Sequence, residues 1–119
     1  MIVLNPKNIS DFLDRYKKIL LFVFLGLLVV SLGMIVFIEN DYYQGVSFKI
    51  MFIHVPAAWL SLMFFGIMGT ASIIGLVFKS PTSFTIARSI SPIGLLMSLT
   101  VLFTGSIWGY LTWGAFWVW

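Results

Sequence analysis

Two features of the chain have the residue types to do chemistry. One is His54, its single histidine, in the run Met51-Phe-Ile-His-Val-Pro-Ala-Ala-Trp-Leu60. A neutral imidazole carries a lone pair that can ligate iron. The other is Gly105-Ser-Ile-Trp-Gly-Tyr-Leu-Thr-Trp-Gly-Ala-Phe-Trp-Val-Trp119, which places Trp108, Trp113, Trp117 and Trp119 within 12 residues. Scattered Trp and Tyr suffice to anchor a span at the headgroups. A glycine-spaced cluster of large π faces offers more, a platform for a flat apolar ligand such as a porphyrin. An axial ligand and a stacking surface are two parts of a haem site. Each also has a plainer reading: a membrane histidine that hydrogen-bonds a neighbouring helix, and an enlarged aromatic belt.

The elements that position these residues are membrane spans. The 119 residues are 61% hydrophobic and 9% charged, with a mean hydropathy of +1.07, outside the range of soluble domains. At about 20 residues per crossing, the length allows three helical spans and no separate soluble domain. The fold class expected is an all-α membrane protein. We place spans at 19–38, 50–78 and 90–108, after a basic N-terminus over 1–18. Connections cover 39–49 and 79–89, and a Trp-rich segment covers 105–119. The first run follows basic residues as a secretory signal does, but it is about 20 residues long and has no small-x-small cleavage site before Glu39, so it reads as a retained span.

Charge orients the spans. Lys7, Arg15, Lys17 and Lys18 precede the first, Lys49 follows it, Lys79 and Arg88 separate the second from the third, and none follows. The positive-inside rule then puts the N-terminus and 79–89 in the cytoplasm, with 39–49 and the Trp-rich segment outside. The net charge of +3 is a topology signal and not a nucleic-acid footprint. With no cysteine the chain has no disulfide, no thiolate metal site and no C-x-x-C-H haem attachment. Gly75-Leu-Val-Phe-Lys-Ser80 lacks the second glycine and spacing of a phosphate loop.

Within the spans, small residues four apart (Gly66 and Thr70, Ala71 and Gly75, Gly94 and Ser98) read as helix packing. Pro56 removes the N–H that Phe52 would bond, two residues past His54, a place where the helix can bend. Ala57, Ala58 and Ser61 leave room either for a macrocycle edge or for a neighbouring helix. Trp113 and Trp117 would share a face of a helix, Trp117 and Trp119 a face of an extended segment; the sequence leaves both open. Gly105, Gly109 and Gly114 argue against a long regular helix there and for an adaptable interfacial segment.

Ile50-Met-Phe-Ile-His-Val-Pro-Ala-Ala-Trp59, the preceding Asp41-Tyr-Tyr-Gln-Gly45 and the tryptophan-rich stretch Thr104–Trp119 resemble the cytochrome c assembly, haem-handling membrane proteins. Within them they resemble the haem exporter protein C (CcmC) family, whose "WWD" signature the last stretch is similar to. The resemblance implies a six-span fold of which this chain covers about the first half, so a truncated product or fragment is expected. It implies non-covalent b-type haem, in transit, held on the external face between two axial histidines and the Trp-rich segment. The haem would then pass to the chaperone CcmE, alongside the ABC transporter subunits CcmA and CcmB, with no enzymatic step. His54 matches the first axial histidine, and Trp108, Trp113, Trp117 and Trp119 match the aromatic platform. Trp59, in the passage of His54, joins them as a candidate haem contact. Phe116 stands where many members have tryptophan, and Tyr110 where many have lysine. The signature's aspartate, the arginine after it and the second histidine have no counterpart here. Haem propionates would call for a cation, and Lys49 is the basic residue expected on the external side, a candidate for that contact. The setting implied is a bacterial or mitochondrial inner membrane. The alternatives are a haem lyase component and a non-haem packing subunit.

Overall fold

The computed structural model describes residues 6–118, and it is helical as expected. Among these residues three helices are long and apolar enough to cross a membrane, in keeping with a multi-pass membrane protein. They are α1 (Pro6–Phe37), α2 (Met51–Phe78) and α3 (Pro81–Trp113), with a short 3₁₀ turn, Val46–Ile50, leading into α2. Helices are what a bilayer demands, because each satisfies its backbone hydrogen bonds internally.

The first unit, Met1–Ile38, is built on α1. Pro6 suits the first helical position, where a missing N–H costs nothing. The helix therefore begins within the basic N-terminal stretch. On its exposed face Lys17 Nζ meets Asp14 Oδ1 at 2.9 Å. Farther on, the Ser31 hydroxyl donates to Leu27 O at 2.7 Å, satisfied within its own helix.

The second unit, Glu39–Trp119, is an antiparallel hairpin of α2 and α3. Its pairs show the register: His54 meets Thr104, Ser61 meets Ser98, Phe64 and Phe65 face Gly94, and Phe84 faces Gly75. As one number rises the other falls. Among the less exposed positions, one run on α2 takes in His54, Ala57, Ser61, Phe64, Met68, Ala71 and Gly75, and one on α3 takes in Ser83, Ala87, Ile90, Gly94, Met97, Val101, Thr104 and Trp108, with Ser98, Gly105 and Gly109 beside it. Alternating steps of three and four make the seam of two helices packed nearly antiparallel. Small side chains fill much of it, and close backbone approach is how helices associate where lipid removes the hydrophobic drive. Two of the expected small-residue pairs lie on this seam. Gly66 and Thr70 do not: Thr70 is exposed and bonds Gly66 O on its own helix at 2.8 Å.

The reversal between the helices is short. Lys79 takes the left-handed conformation (φ 49°, ψ 41°) with its N–H on Gly75 O, and Ser80 caps α3 by accepting from Ser83 N at 3.4 Å. Pro81 follows at the first helical position. Cap and proline together are a start signal, so α3 begins at residue 81 rather than 90, and most of the expected 79–89 connection is helix. Pro92 lies inside it without ending it. At 28 residues, α2 is about 40 Å long, more than the roughly 30 Å hydrocarbon core, an excess that tilt absorbs.

Before α2 the chain turns on Asp41, whose Oδ1 accepts from Tyr43 N at 2.9 Å and Gln44 N at 2.8 Å. Asp41 and Gly45 exchange backbone hydrogen bonds, and Gly45 sits at φ 60°, ψ −135°, a region open essentially to glycine. This turn holds Tyr42 and Tyr43 almost fully exposed at the end of the hairpin that carries His54.

Candidate functional site

His54 lies in the first turns of α2, where the hairpin register sets it against α3. Its Nδ1 is 2.9 Å from Thr104 Oγ1. The Thr104 hydroxyl in turn donates to Thr100 O at 2.6 Å. Trp108, one turn farther along α3, sets its ring against the imidazole with centroids 5.7 Å apart and planes at 67°. A Cβ at Gly105 would come within 2.9 Å of His54 Cε1, so the imidazole rests directly on the α3 backbone.

Beyond His54 opens a cavity of about 740 Å³, lined by His54, Gly105, Ser106, Trp113, Phe116 and Trp117 together with aliphatic side chains. That volume falls in the range of about 300–1,000 Å³ typical of ligand and cofactor pockets. Among the described residues the lining contains no charged side chain.

The far wall is made by a chain reversal. α3 runs through Gly105 and Gly109 to Trp113, where the sequence had suggested an irregular segment. It stops at Gly114 (φ 75°, ψ 7°), whose N–H bonds Tyr110 O at 2.9 Å, the left-handed cap that glycine favours. The chain then folds back on its own last turn. A Cβ at Gly109 would lie 3.2 Å from Ala115 O, and Phe116 stacks on Tyr110 at 4.3 Å and 9°. The three glycines therefore do three jobs, and only Gly114 ends the helix. Gly105 admits the imidazole, and Gly109 receives the returning backbone.

The candidate site residues are placed differently from one another. Trp113 and Trp117 line the cavity with His54. Trp108 does not line it but braces the imidazole, and its Nε1–H is buried without an acceptor among the described residues. Trp59 is 71% exposed and lies outside the lining, where it suits an interfacial anchor. Trp119 lies outside the described residues. Lys49, in the 3₁₀ turn, does not line the cavity. Ala57 is buried on the seam and Ser61 bonds Ser98 at 2.8 Å, so these small residues serve the neighbouring helix. Sequence reasoning missed Thr104 as a neighbour of His54, while Phe116, which it had named as an aromatic in place of tryptophan, lines the cavity. The signal for Thr104 was present: it stands one turn before Trp108 at a seam position.

The donor set suits a planar metal-containing ligand. Among the described residues it offers one imidazole, aromatic and aliphatic walls, and no carboxylate or thiolate. Among the described residues no group of three or more His, Cys, Asp or Glu side chains is placed to hold a bare metal ion.

Comparison with known proteins places the chain in a family. The family model for heme exporter protein C matches residues 1–119. A heme exporter protein C from Bradyrhizobium diazoefficiens is 43% identical over 93 residues, 78% of this chain and 35% of that protein. A putative cytochrome c biosynthesis ccmC-like mitochondrial protein from Marchantia polymorpha is 35% identical over 106 residues, 88% of this chain and 46% of that protein. Heme exporter protein C of Haemophilus influenzae is 38% identical over 102 residues, 83% and 42% respectively. The chain thus spans between about a third and a half of the length of these relatives.

Proposed function

Because the chain belongs to the heme exporter protein C family, we propose that it binds and hands on haem in cytochrome c biogenesis, with His54 as an axial ligand. The observation that carries this reading is the meeting of His54, Trp113 and Trp117 on one apolar cavity. Bound there, haem would bring an iron that accepts a nitrogen lone pair and a macrocycle that stacks on indole. This chain's residues supply the rest. His54 offers the nitrogen, Trp113, Phe116 and Trp117 offer π faces, and the aliphatic lining excludes water.

The haem is non-covalent and in transit. The chain has no thiol for thioether attachment, and an uncharged lining holds a porphyrin by face and metal, leaving its edges to another protein. The chaperone CcmE is the acceptor and CcmA and CcmB are the transporter partners in this reading, with the cavity end of the hairpin on the external face of the membrane. The role is carriage rather than an enzymatic conversion.

The test is an absorption spectrum after haem supply, recorded on this chain continued by the portion of the Bradyrhizobium relative that it does not cover, with and without His54→Ala. A Soret band lost or shifted by the substitution is expected. No bound haem, or a band indifferent to His54→Ala, overturns the reading.

A further inference from the structure

The hydrogen bonds around His54 determine which ring nitrogen carries the proton. Thr104 has one hydroxyl hydrogen, and the 2.6 Å contact to Thr100 O commits it to that carbonyl. Toward His54 the oxygen has only lone pairs left. The 2.9 Å contact between Nδ1 and Oγ1 is then an Nδ1–H donating to Thr104. If Thr104 donated to Nδ1 instead, its oxygen and the Thr100 carbonyl would face each other at 2.6 Å with no proton between them. The neutral ring therefore keeps its lone pair on Nε2. That nitrogen has no hydrogen-bond partner among the described residues, and it is not among their enclosed polar atoms.

We propose that Thr104 is the positioning residue of the site: it fixes His54 as the Nδ1–H tautomer and so presents Nε2, unprotonated, to a ligand in the cavity. The inference rests on the haem reading for what Nε2 ligates, but not for the tautomer. Gly105 and Trp108 hold the ring on its other sides, so three residues from neighbouring turns of α3 define one orientation. A ligand partner of this kind, accepting from the second ring nitrogen, sets both tautomer and basicity of a metal-binding histidine. Nε2 of His54 would then offer its lone pair directly, with no proton to displace and no ring to flip.

The single histidine makes the tautomer directly measurable. Nitrogen NMR of the ¹⁵N-histidine-labelled 119-residue chain in nanodiscs, recorded on the neutral ring, distinguishes protonated from bare nitrogen, and correlation to Hδ2 identifies Nε2. We expect a bare Nε2 in the wild type and in Thr104→Ser, which keeps the hydroxyl, and a shift toward the Nε2–H tautomer in Thr104→Val. A wild type protonated on Nε2, or a Thr104→Val spectrum identical to wild type, overturns the proposal, and no variant need fold for the first result. In the extended protein, Thr104→Val is expected to weaken haem binding about 10- to 100-fold with Thr104→Ser within a few-fold of wild type; equal binding by Thr104→Val overturns the positioning role. If instead His54→Ala leaves the Soret band unchanged, it is the haem reading that fails, while the tautomer result stands.

Discussion

The backbone of Gly105 lies so close to the imidazole of His54 that a Cβ at residue 105 would stand 2.9 Å from Cε1. A helix-breaking residue inside α3 is thereby a condition for a ring on α2 to reach its place. Helix propensity alone favours alanine over glycine here by about 1 kcal/mol. Gly105→Ala is nonetheless expected to displace His54, disturbing the Nδ1–Thr104 hydrogen bond and lowering haem retention in the extended protein. An unchanged histidine ¹⁵N spectrum and an unchanged Soret band would contradict this.

Gly75 and Gly69 form a matched pair for the seam. A Cβ at Gly75 would enter the Phe84 ring at 2.9–3.1 Å, whereas one at Gly69 meets nothing within 4 Å. Gly75→Ala should destabilise the hairpin by about 1–3 kcal/mol through overpacking. Gly69→Ala should be neutral or stabilising, by up to about 1 kcal/mol. Unfolding in mixed micelles, followed by helical circular dichroism, compares the two.

Ser61 and Ser98 hydrogen-bond across the seam at 2.8 Å. A double-mutant cycle of Ser61→Ala and Ser98→Ala is expected to give a coupling of about 0.6 kcal/mol and no more than about 1.7, the scale of interhelical hydrogen bonds in membranes. The same unfolding assay reads it, and zero coupling would remove this contact from the account of the hairpin.

Gly114 holds the reversal that builds the far wall of the cavity, at φ 75°. Gly114→Ala should cost about 1–2 kcal/mol in that conformation and loosen residues 115–118 from the end of α3. The chain has no cysteine, so Ala115→Cys provides a single label, and its rate of reaction with a maleimide should rise when Gly114→Ala is added.

Sidedness is expected to follow the basic residues. Single cysteines at Tyr43 and Thr82, both exposed, should label from opposite faces of sealed vesicles, Tyr43→Cys from outside and Thr82→Cys from the cytoplasmic side. Labelling of both from one face would overturn the three-span arrangement, and the reverse assignment would overturn the orientation.

By itself the sequence determined the helical membrane character of this protein, because long apolar runs leave a backbone in lipid no other way to satisfy its hydrogen bonds. It also determined which residues have the chemistry: one imidazole, and an unusual density of indoles. The beginning of α3 was not read: residues 79–89 were expected as a connection because they are rich in hydroxyls, although Ser80 and Pro81 form a helix-start signal. Ser80, Thr85 and Thr100 each bond within or at the end of their own helix, which is how such residues are accommodated there.

What only the tertiary structure decided is the offset between α2 and α3. A three-and-four seam pattern is compatible with several registers, and a slide of one turn would take His54 away from Thr104 without altering either helix. The observed register comes from contacts far apart in the chain, Gly75 under Phe84, Gly94 against Phe64 and Phe65, and Ser61 on Ser98, which must all fit at once. The same physical reason explains the glycines of the Trp-rich stretch. Local propensity marks all three as helix breakers, but the space that Gly105 and Gly109 leave is occupied by groups from elsewhere in the chain, His54 in one case and the returning Ala115 in the other.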